Sequence, residues 1–132
     1  MKLEDDKYCI GCGELNSHGL RLKFVLDKGS RAIFTEFTPQ KIHQGFKDIV
    51  HGGVIGLVLD ECMVNLAWKL GIPAVSAEFT VRLLRPAPID KKLLFSAKII
   101  SEKNRILNIN GECKDTSGKK IATSSSKCVK MI

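Results

Sequence analysis

The sequence has few aromatic side chains and no long apolar run. Aromatic residues make up 6% of the 132 residues, and no recognition helix, zinc finger or aromatic RNA-binding pattern is visible. The longest strictly apolar stretch, from Val54 to Leu59, contains one glycine. It falls far short of the roughly 20 residues that span a bilayer. The sequence therefore predicts no membrane partner. It also predicts no nucleic-acid partner, because only the basic charge favours nucleic-acid binding.

The first residues also lack an apolar segment. Met1 is followed by Lys2, Leu3 and three acidic residues, whereas a secretory signal needs a basic start and then an apolar region. The chain contains five cysteines, and an odd number without a signal argues against a disulfide framework. We therefore expect a cytoplasmic protein.

Cys9 and Cys12 have the C-x-x-C-G spacing of a metal knuckle. A tetrahedral zinc site needs two more ligands, usually a second close pair, and no such pair follows. His18 offers only one further ligand, while Cys113 and Cys128 lie apart in strand-like runs. The sequence therefore favours packing of a glycine-rich entry segment, and we predict no metal.

The composition is otherwise that of one globular domain. Hydrophobic residues make up 44% of the chain and charged residues 27%, with a net charge of +7. A chain of this length buries roughly two thirds of its unfolded surface and needs no disulfides or structural metal to fold. The basic excess either attracts an anion, such as a phosphorylated small molecule, or keeps the protein in solution; the sequence leaves both open.

Hydrophobic periodicity predicts an α+β fold. Alternating apolar residues indicate strands, whereas the run from Gly53 to Trp68 is too long for a strand and ends before Gly71 and Pro73, as helices do. This helix is apolar nearly all round, so we expect a sheet curled around it and part of its cover from a second subunit. The predicted order is an arm (residues 1–19) and one domain (20–132) with strands over 20–27 and 31–37, a loop over 38–50, a helix over 53–68, and strands over 74–85, 92–103, 105–114 and 119–130.

Two groups on the predicted helix carry chemistry. Gly52 and Gly53 at its start offer free amide groups in the positive potential of the helix dipole, which suits a developing oxyanion. Asp60 lies inside the apolar helix, where a carboxylate is costly unless it is hydrogen-bonded or used. The alternative for Asp60 is a carboxylate satisfied by a neighbouring backbone group.

The spacing of these groups has a geometric consequence. Gly52 and Asp60 are eight residues apart, which is about 12 Å along a helix. One helix therefore cannot place both around one reacting carbonyl. If both act in one site, they come from two subunits with antiparallel helices, so the sequence predicts an obligate dimer if it predicts an enzyme.

His51-Gly52-Gly53, with Asp60 nine residues after the histidine, resembles the hotdog-fold thioesterases of the phenylacetate-degradation (PaaI-like) group. The resemblance extends over about residues 9 to 130 and includes the Cys9–Gly13 segment and the strand Val75–Ala87. It implies a hotdog fold, with one long helix wrapped by five or six antiparallel strands, in a homodimer or a dimer of dimers. It also implies hydrolysis of a small acyl or aromatic acyl thioester of coenzyme A, with no metal and no further cofactor.

The resemblance implies roles for particular residues. Asp60 matches the acid that acts as general base or nucleophile, Gly52 the oxyanion donor from the partner subunit, and His51 the histidine that supports this turn. Ser76 matches a polar position across the interface that orients water. Substrate contacts are expected from Gly53, Gln44, Asn65, Arg82 and Arg85, the two arginines as phosphate ligands or, alternatively, as members of a solvated strand face.

The sequence departs from the family at one position. Many members place Asn or Gln six residues before the histidine, and here that position is Gly45. Gln44 and Asn65 are the candidates for compensating. If neither does, the sequence leaves two outcomes open: a thioesterase of weak activity, or a non-catalytic acyl-CoA binding or sensing module. A dehydratase with His43 as its catalytic histidine is a further alternative, and the acyl group itself is left open.

Overall fold

Six strands and one long helix make up the fold in the computed structural model, which describes residues 2–131. The outer ends of the predicted arm and domain, residues 1 and 132, lie outside the described residues. The elements are β1 (Val25–Asp27), β2 (Ala32–Phe37), a 3-10 turn (Lys41–His43), α1 (Gly52–Lys69), β3 (Ala74–Leu83), β4 (Leu93–Lys103), β5 (Ile106–Asp115) and β6 (Lys120–Lys130).

The six strands form one antiparallel sheet in the order β1-β2-β4-β5-β6-β3. Helix α1 contacts strands β2 to β6 on one face of this sheet. The long hairpins turn where the sequence predicts, at Asn104 and Gly118, both with positive φ. The prediction of one long helix against an antiparallel sheet is therefore confirmed, with strand ends within two residues for β3 to β6.

The core lies between α1 and the sheet. Leu59, Met63 and Leu66 of the helix and Phe95 and Ile109 of the sheet are almost completely buried. Together with the six other buried residues of α1, these side chains bring most of the helix circumference out of water, which is why its sequence is apolar nearly all round. The core therefore fixes both ends of α1 relative to the strands.

Both ends of α1 are capped by local chemistry. The His51 imidazole accepts a hydrogen bond from the Gly53 amide at 2.8 Å, satisfying one of the open donors of the first turn. At the other end Gly71 has φ +79°, and the Ile72 amide donates to the Ala67 carbonyl at 2.9 Å. This glycine-dependent turn ends the helix where the sequence predicts.

The predicted strand over 20–27 is wrong over most of its length. Only Val25–Asp27 pairs with β2. The Leu20 and Leu22 amides donate instead to the carbonyls of Ile10 and Gly11 in the arm, at 2.9 and 3.0 Å. Arg21 between them has φ +52°, which interrupts an extended backbone. The alternation is thus real, but its hydrogen-bond partner is the arm.

The arm is held against the helix without regular secondary structure of its own. Gly11 and Gly13 are buried, although most of their neighbours are exposed. Across residues 2–131, no helix combines the length and the hydropathy needed to cross a bilayer. A cytoplasmic location stays a prediction.

Candidate active site

Asp60 lies half-buried on α1 and lines a cavity of about 430 Å³. Ser76 of β3 donates a hydrogen bond from its hydroxyl to Asp60 Oδ1 at 2.6 Å. A hydroxyl donor at this distance fixes the orientation of the carboxylate and leaves the second oxygen able to accept a proton. The carboxylate is therefore satisfied by a side chain rather than by the backbone, and it remains open to a cavity.

Ser76 and Asp60 belong to the same chain. The family resemblance places the serine across a subunit interface from the acid, whereas the structure places it beside the acid of its own chain. The reason is that β3 follows α1 through a short turn and returns along it, so the start of β3 meets the second half of the helix. This carboxylate and hydroxyl form a unit that one chain holds complete.

The Gly52 amide lies at the start of α1 and lines a different cavity, of about 220 Å³. His51 takes up the neighbouring Gly53 amide, and within residues 2–131 no acceptor occupies the Gly52 amide. The helix dipole adds positive potential at this point. Gly52 therefore presents a free donor of the kind that stabilises an oxyanion. The Gly53 amide is not available as a donor, because it is hydrogen-bonded to the His51 side chain, which supports the turn.

The structure does not bring Asp60 and Gly52 together within one chain. The cavities at these two residues share no lining residue. The eight-residue interval corresponds to about 12 Å along the helix. A single chain thus holds two separate halves of the expected site.

The remaining predicted substrate contacts are divided between several places. Asn65 lines the Asp60 cavity, and its amide donates to the Glu61 carbonyl at 2.9 Å. Arg85 lines the Gly52 cavity. Arg82 instead lines a cavity on the outer face of the sheet, beside Thr80 and Lys98. Arg82 therefore faces away from the helix and lines neither the Asp60 cavity nor the Gly52 cavity.

Gln44 lines neither of the two cavities in the described residues. Its side-chain oxygen accepts from the Asp48 amide at 3.0 Å, so it stabilises its own loop. Gly45 packs closely against His51, because a Cβ there would lie 3.3 Å from His51 Cα. A larger residue at position 45 would thus touch the residue that supports the turn.

His43 is also separated from the acid. Its ring packs edge-on against Phe37, with ring centroids 5.0 Å apart, and its Nδ1 accepts from the Gln40 amide at 2.9 Å. It lines neither the Asp60 nor the Gly52 cavity. The geometry gives no support to a dehydratase that uses His43.

Sequence reasoning missed three residues that line the Asp60 cavity: Cys9, Cys12 and Glu61. Glu61 is only 8% exposed, and the Cys9 thiol donates to its Oε1 at 3.2 Å. The sequence features that could have drawn attention to these residues are an acid in an apolar helix and the C-x-x-C spacing. Nothing in the sequence indicates that residues about fifty positions apart meet.

A comparison with family profiles decides the family. Residues 47–122, more than half of the chain, match the profile described as the thioesterase superfamily. The chain belongs to the thioesterase superfamily. This membership agrees with the prediction of a thioester hydrolase, and the matched segment includes both Gly52 and Asp60. A search of curated proteins found no match.

Solved structures show the same fold in other proteins. A crystal structure of the thioesterase superfamily protein RHA08564 has a TM-score of 0.87 and 21% identity, covering 93% of this chain and 60% of that one. The present chain thus spans less than two thirds of that protein. The Escherichia coli PaaI protein from the phenylacetic acid degradation operon has a TM-score of 0.79 and 18% identity, covering 86% of this chain and 81% of that one.

A third structure contains a ligand. The smu.793 protein from Streptococcus mutans UA159, bound to acetyl CoA, has a TM-score of 0.77 and 14% identity, covering 83% of this chain and 88% of that one. At these identities the likeness concerns the fold. The predicted hotdog fold, with its likeness to PaaI, is confirmed, while the roles of individual residues stay predictions.

Proposed function

We propose that this member of the thioesterase superfamily hydrolyses acyl thioesters of coenzyme A at a site shared by two copies of the chain. The observation that carries the proposal is the pair of half-sites. One end of α1 presents a free amide, and a later turn presents an oriented carboxylate facing a cavity. Family membership and the acetyl-CoA complex of a similar fold support this substrate class.

In the proposed reaction Asp60 acts as a general base on water. The carboxylate takes a proton as the water oxygen bonds to the thioester carbon, and the Gly52 amide of a second copy binds the oxyanion that forms. The carbon–sulfur bond then breaks, the carboxylic acid is released, and the proton on Asp60 passes to the leaving thiolate. Proton transfer of this kind is worth about 10²–10⁴ in rate and an oxyanion donor about 10²–10³.

Asp60 acting as a nucleophile is the alternative chemistry. It would form an acyl–aspartyl anhydride that water then opens. A single turnover in ¹⁸O-labelled water tests for this route, because attack at the aspartyl carbonyl of the anhydride leaves label in Asp60, and general-base hydrolysis cannot label Asp60.

Strand β3 supports the sharing of the site. It is a ten-residue strand at the edge of the sheet, and it exposes Phe79 and Leu83. A long apolar edge strand is a template for pairing with another chain. If two β3 strands pair antiparallel about a twofold axis, the two α1 helices run antiparallel, and Gly52 of each copy faces toward Asp60 of the other.

Charge supports a phosphate-bearing substrate. The net charge is +7, and Arg85 lies exposed beside the Gly52 cavity. A guanidinium there can pair with the phosphates of coenzyme A. Arg82 lines a cavity on the outer face of the sheet and neither of the two half-sites, so the proposal does not depend on it.

Free-thiol release from a panel of acyl-CoA thioesters tests the function. Asp60→Asn keeps the shape of the side chain and removes the base, so turnover should fall about 10²–10⁴-fold. Glu36→Gln, an exposed carboxylate on β2, is the matched control and should turn over substrate like the wild type. Equal rates in wild type and Asp60→Asn would contradict the assignment of the base.

One observation favours a second candidate function, a non-catalytic acyl-CoA binding module. Gly45 replaces the usual amide side chain, and Gln44 beside it is bonded to its own loop. Wild-type protein that binds acyl-CoA by calorimetry but releases no thiol from any thioester would establish the binding module instead of the hydrolase.

A further inference from the structure

Three potential metal ligands meet on the wall of the Asp60 cavity. The Cys9 and Cys12 sulfur atoms and a Glu61 carboxylate oxygen all lie within 4.8 Å of one another. Within this cluster, Cys9 Sγ and Glu61 Oε1 are 3.2 Å apart. In a tetrahedral zinc site with the usual bond lengths, ligand atoms are about 3.3–3.8 Å apart. The three side chains are therefore close to the spacing that a bound ion would impose.

The charge of the cluster is uncompensated. Glu61 is 8% exposed, and its carboxylate is met by the Cys9 thiol and, at 3.5 Å, by the Asn65 amide. Within residues 2–131, no Lys, Arg or His forms an ion pair with Glu61. A buried carboxylate without a cation is costly. A divalent ion would supply the missing positive charge.

The backbone between the cysteines is shaped for a sulfur ligand. The Gly11 amide donates to Cys9 Sγ at 3.3 Å, and the Gly13 amide donates to the Cys9 carbonyl at 2.9 Å. A backbone amide that donates to sulfur would support and orient that sulfur as a metal ligand. Gly11 also lies directly on Glu61, because a Cβ at position 11 would meet its Cγ and carboxylate. The loop thus holds both sulfur atoms against the helix carboxylate.

We propose that Cys9, Cys12 and Glu61 bind one thiophilic divalent cation, with zinc as the best match. Two thiolates and a carboxylate are ligands that zinc accepts, and the fourth position would face the cavity and hold water. The absence of a second cysteine pair does not exclude this site, because the third ligand comes from α1. The ion would fasten the arm to the helix and so fix one wall of the Asp60 cavity. Its role is structural, and it does not depend on the proposed hydrolysis.

Metal binding by the full chain tests the proposal directly. Protein that has been reduced and stripped with a chelator is titrated with Zn²⁺, and separately with Co²⁺, whose thiolate complexes absorb in the near ultraviolet. We expect one ion per chain and a thiolate-to-cobalt band. The double variant Cys9→Ser/Cys12→Ser should lose both. Glu61→Gln should weaken binding at least about tenfold, since loss of even an outer partner costs about 10–100-fold.

Cys113→Ala is the matched control, because it removes a buried thiol that lies outside the cluster. It should bind zinc like the wild type. Failure of the reduced wild type to bind zinc or cobalt at micromolar concentration would overturn the proposal, as would binding that survives in the double serine variant. Unchanged affinity in Glu61→Gln would overturn the three-ligand site. A Cys9–Cys12 disulfide in purified protein, with no metal uptake after reduction, would replace it with a redox pair.

Discussion

The Gly52 amide offers a test at the scale of a single residue, because it can be deleted without breaking the helix. Gly52 is the first residue of α1, where proline is well tolerated since the first-turn amide has no helical partner. His51 before it has φ −62° and ψ 131°, a conformation that also suits the residue preceding a proline. Position 52 thus allows the amide hydrogen to be removed while the helix is kept.

We predict that Gly52→Pro lowers the rate of acyl-CoA hydrolysis about 10²–10³-fold while α1 still forms. The matched control is Gly52→Ala, which keeps the amide. Its Cβ would lie 2.5 Å from Leu83 Cδ1, the flexible end of an exposed side chain that can move away. Steady-state kinetics and circular dichroism of both variants are the measurements. If alanine costs as much activity as proline, space at position 52 matters and the amide does not.

His43 provides a pH test of the loop that precedes α1. Burial lowers the pKa of His43 below its ordinary value of 6.5, and its Nδ1 accepts a hydrogen bond only while unprotonated. Below pH 6.5 the unfolded chain therefore binds this proton more readily than the folded chain. The stability that neutral His43 contributes is complete above pH 6.5 and is lost as the pH falls toward the lower folded pKa.

We predict that the free energy of unfolding of the wild type decreases between about pH 7 and pH 5. Urea denaturation at a series of pH values measures it. The decrease should be smaller in His43→Gln, whereas His18→Gln, which removes an exposed loop histidine, should follow the wild type. Parallel pH profiles for wild type and His43→Gln would assign the decrease to other groups.

Single residues also show where sequence reasoning stops. Asp60 and Gly52 were identifiable because an acid in an apolar helix and a glycine pair at a helix start are local patterns. The contact between Ser76 and Asp60 and the cluster around Glu61 were not, because they depend on how a returning strand and an irregular arm pack on the helix. The family resemblance supplied a role for Ser76, which stays a prediction, and gave no sign of its hydrogen bond to Asp60 of the same chain.

The arm is the element that sequence described least well. Strands β3 to β6 and α1 follow from periodicity, since each buries one face or nearly all of its surface along a regular backbone. The arm is held instead by isolated contacts, such as the Leu20 and Leu22 amides on its carbonyls. Such contacts leave no repeating pattern in the sequence. They also replace the strand pairing predicted for most of residues 20–27.

At the scale of this element we predict that Gly11→Ala detaches the arm from α1. The added Cβ would lie 2.3 Å from Glu61 Cγ, and Glu61 is buried and held by Cys9 and Asn65. Overpacking of this kind costs about 1–3 kcal/mol. Urea denaturation in the presence of a chelator should show this loss, and limited proteolysis should cut the arm faster.

Gly29→Ala is the control for that substitution. Gly29 lies in an exposed turn, and its added Cβ would meet Asp27 Oδ1 at an ordinary 3.5 Å. The control should keep wild-type stability and wild-type proteolysis of the arm. An arm that stays equally protected in Gly11→Ala would mean that Glu61 moves aside, and that the arm is held by its other hydrogen bonds.

At the scale of the whole molecule, the edge position of β3 and the two half-sites both favour pairing of two copies of the chain. A ten-residue edge strand with exposed apolar residues is a template for pairing with another chain, and in the proposed function the separate Gly52 and Asp60 cavities of two copies form one site. An intermolecular site makes a prediction that no single chain can satisfy. It predicts complementation between two inactive variants.

We predict that co-expressed Asp60→Asn and Gly52→Pro chains regain activity that neither has alone. In a mixed dimer one site combines intact Asp60 from the proline chain with the intact Gly52 amide from the asparagine chain, while the other site lacks both. Random pairing makes about half of the dimers mixed, each with one working site, so about a quarter of wild-type activity should return. Differently tagged chains, purified through both tags, should show about half. Mixed dimers as inactive as their parents would place both groups in sites that do not cross the interface, and a monomer by analytical ultracentrifugation would exclude the shared site altogether.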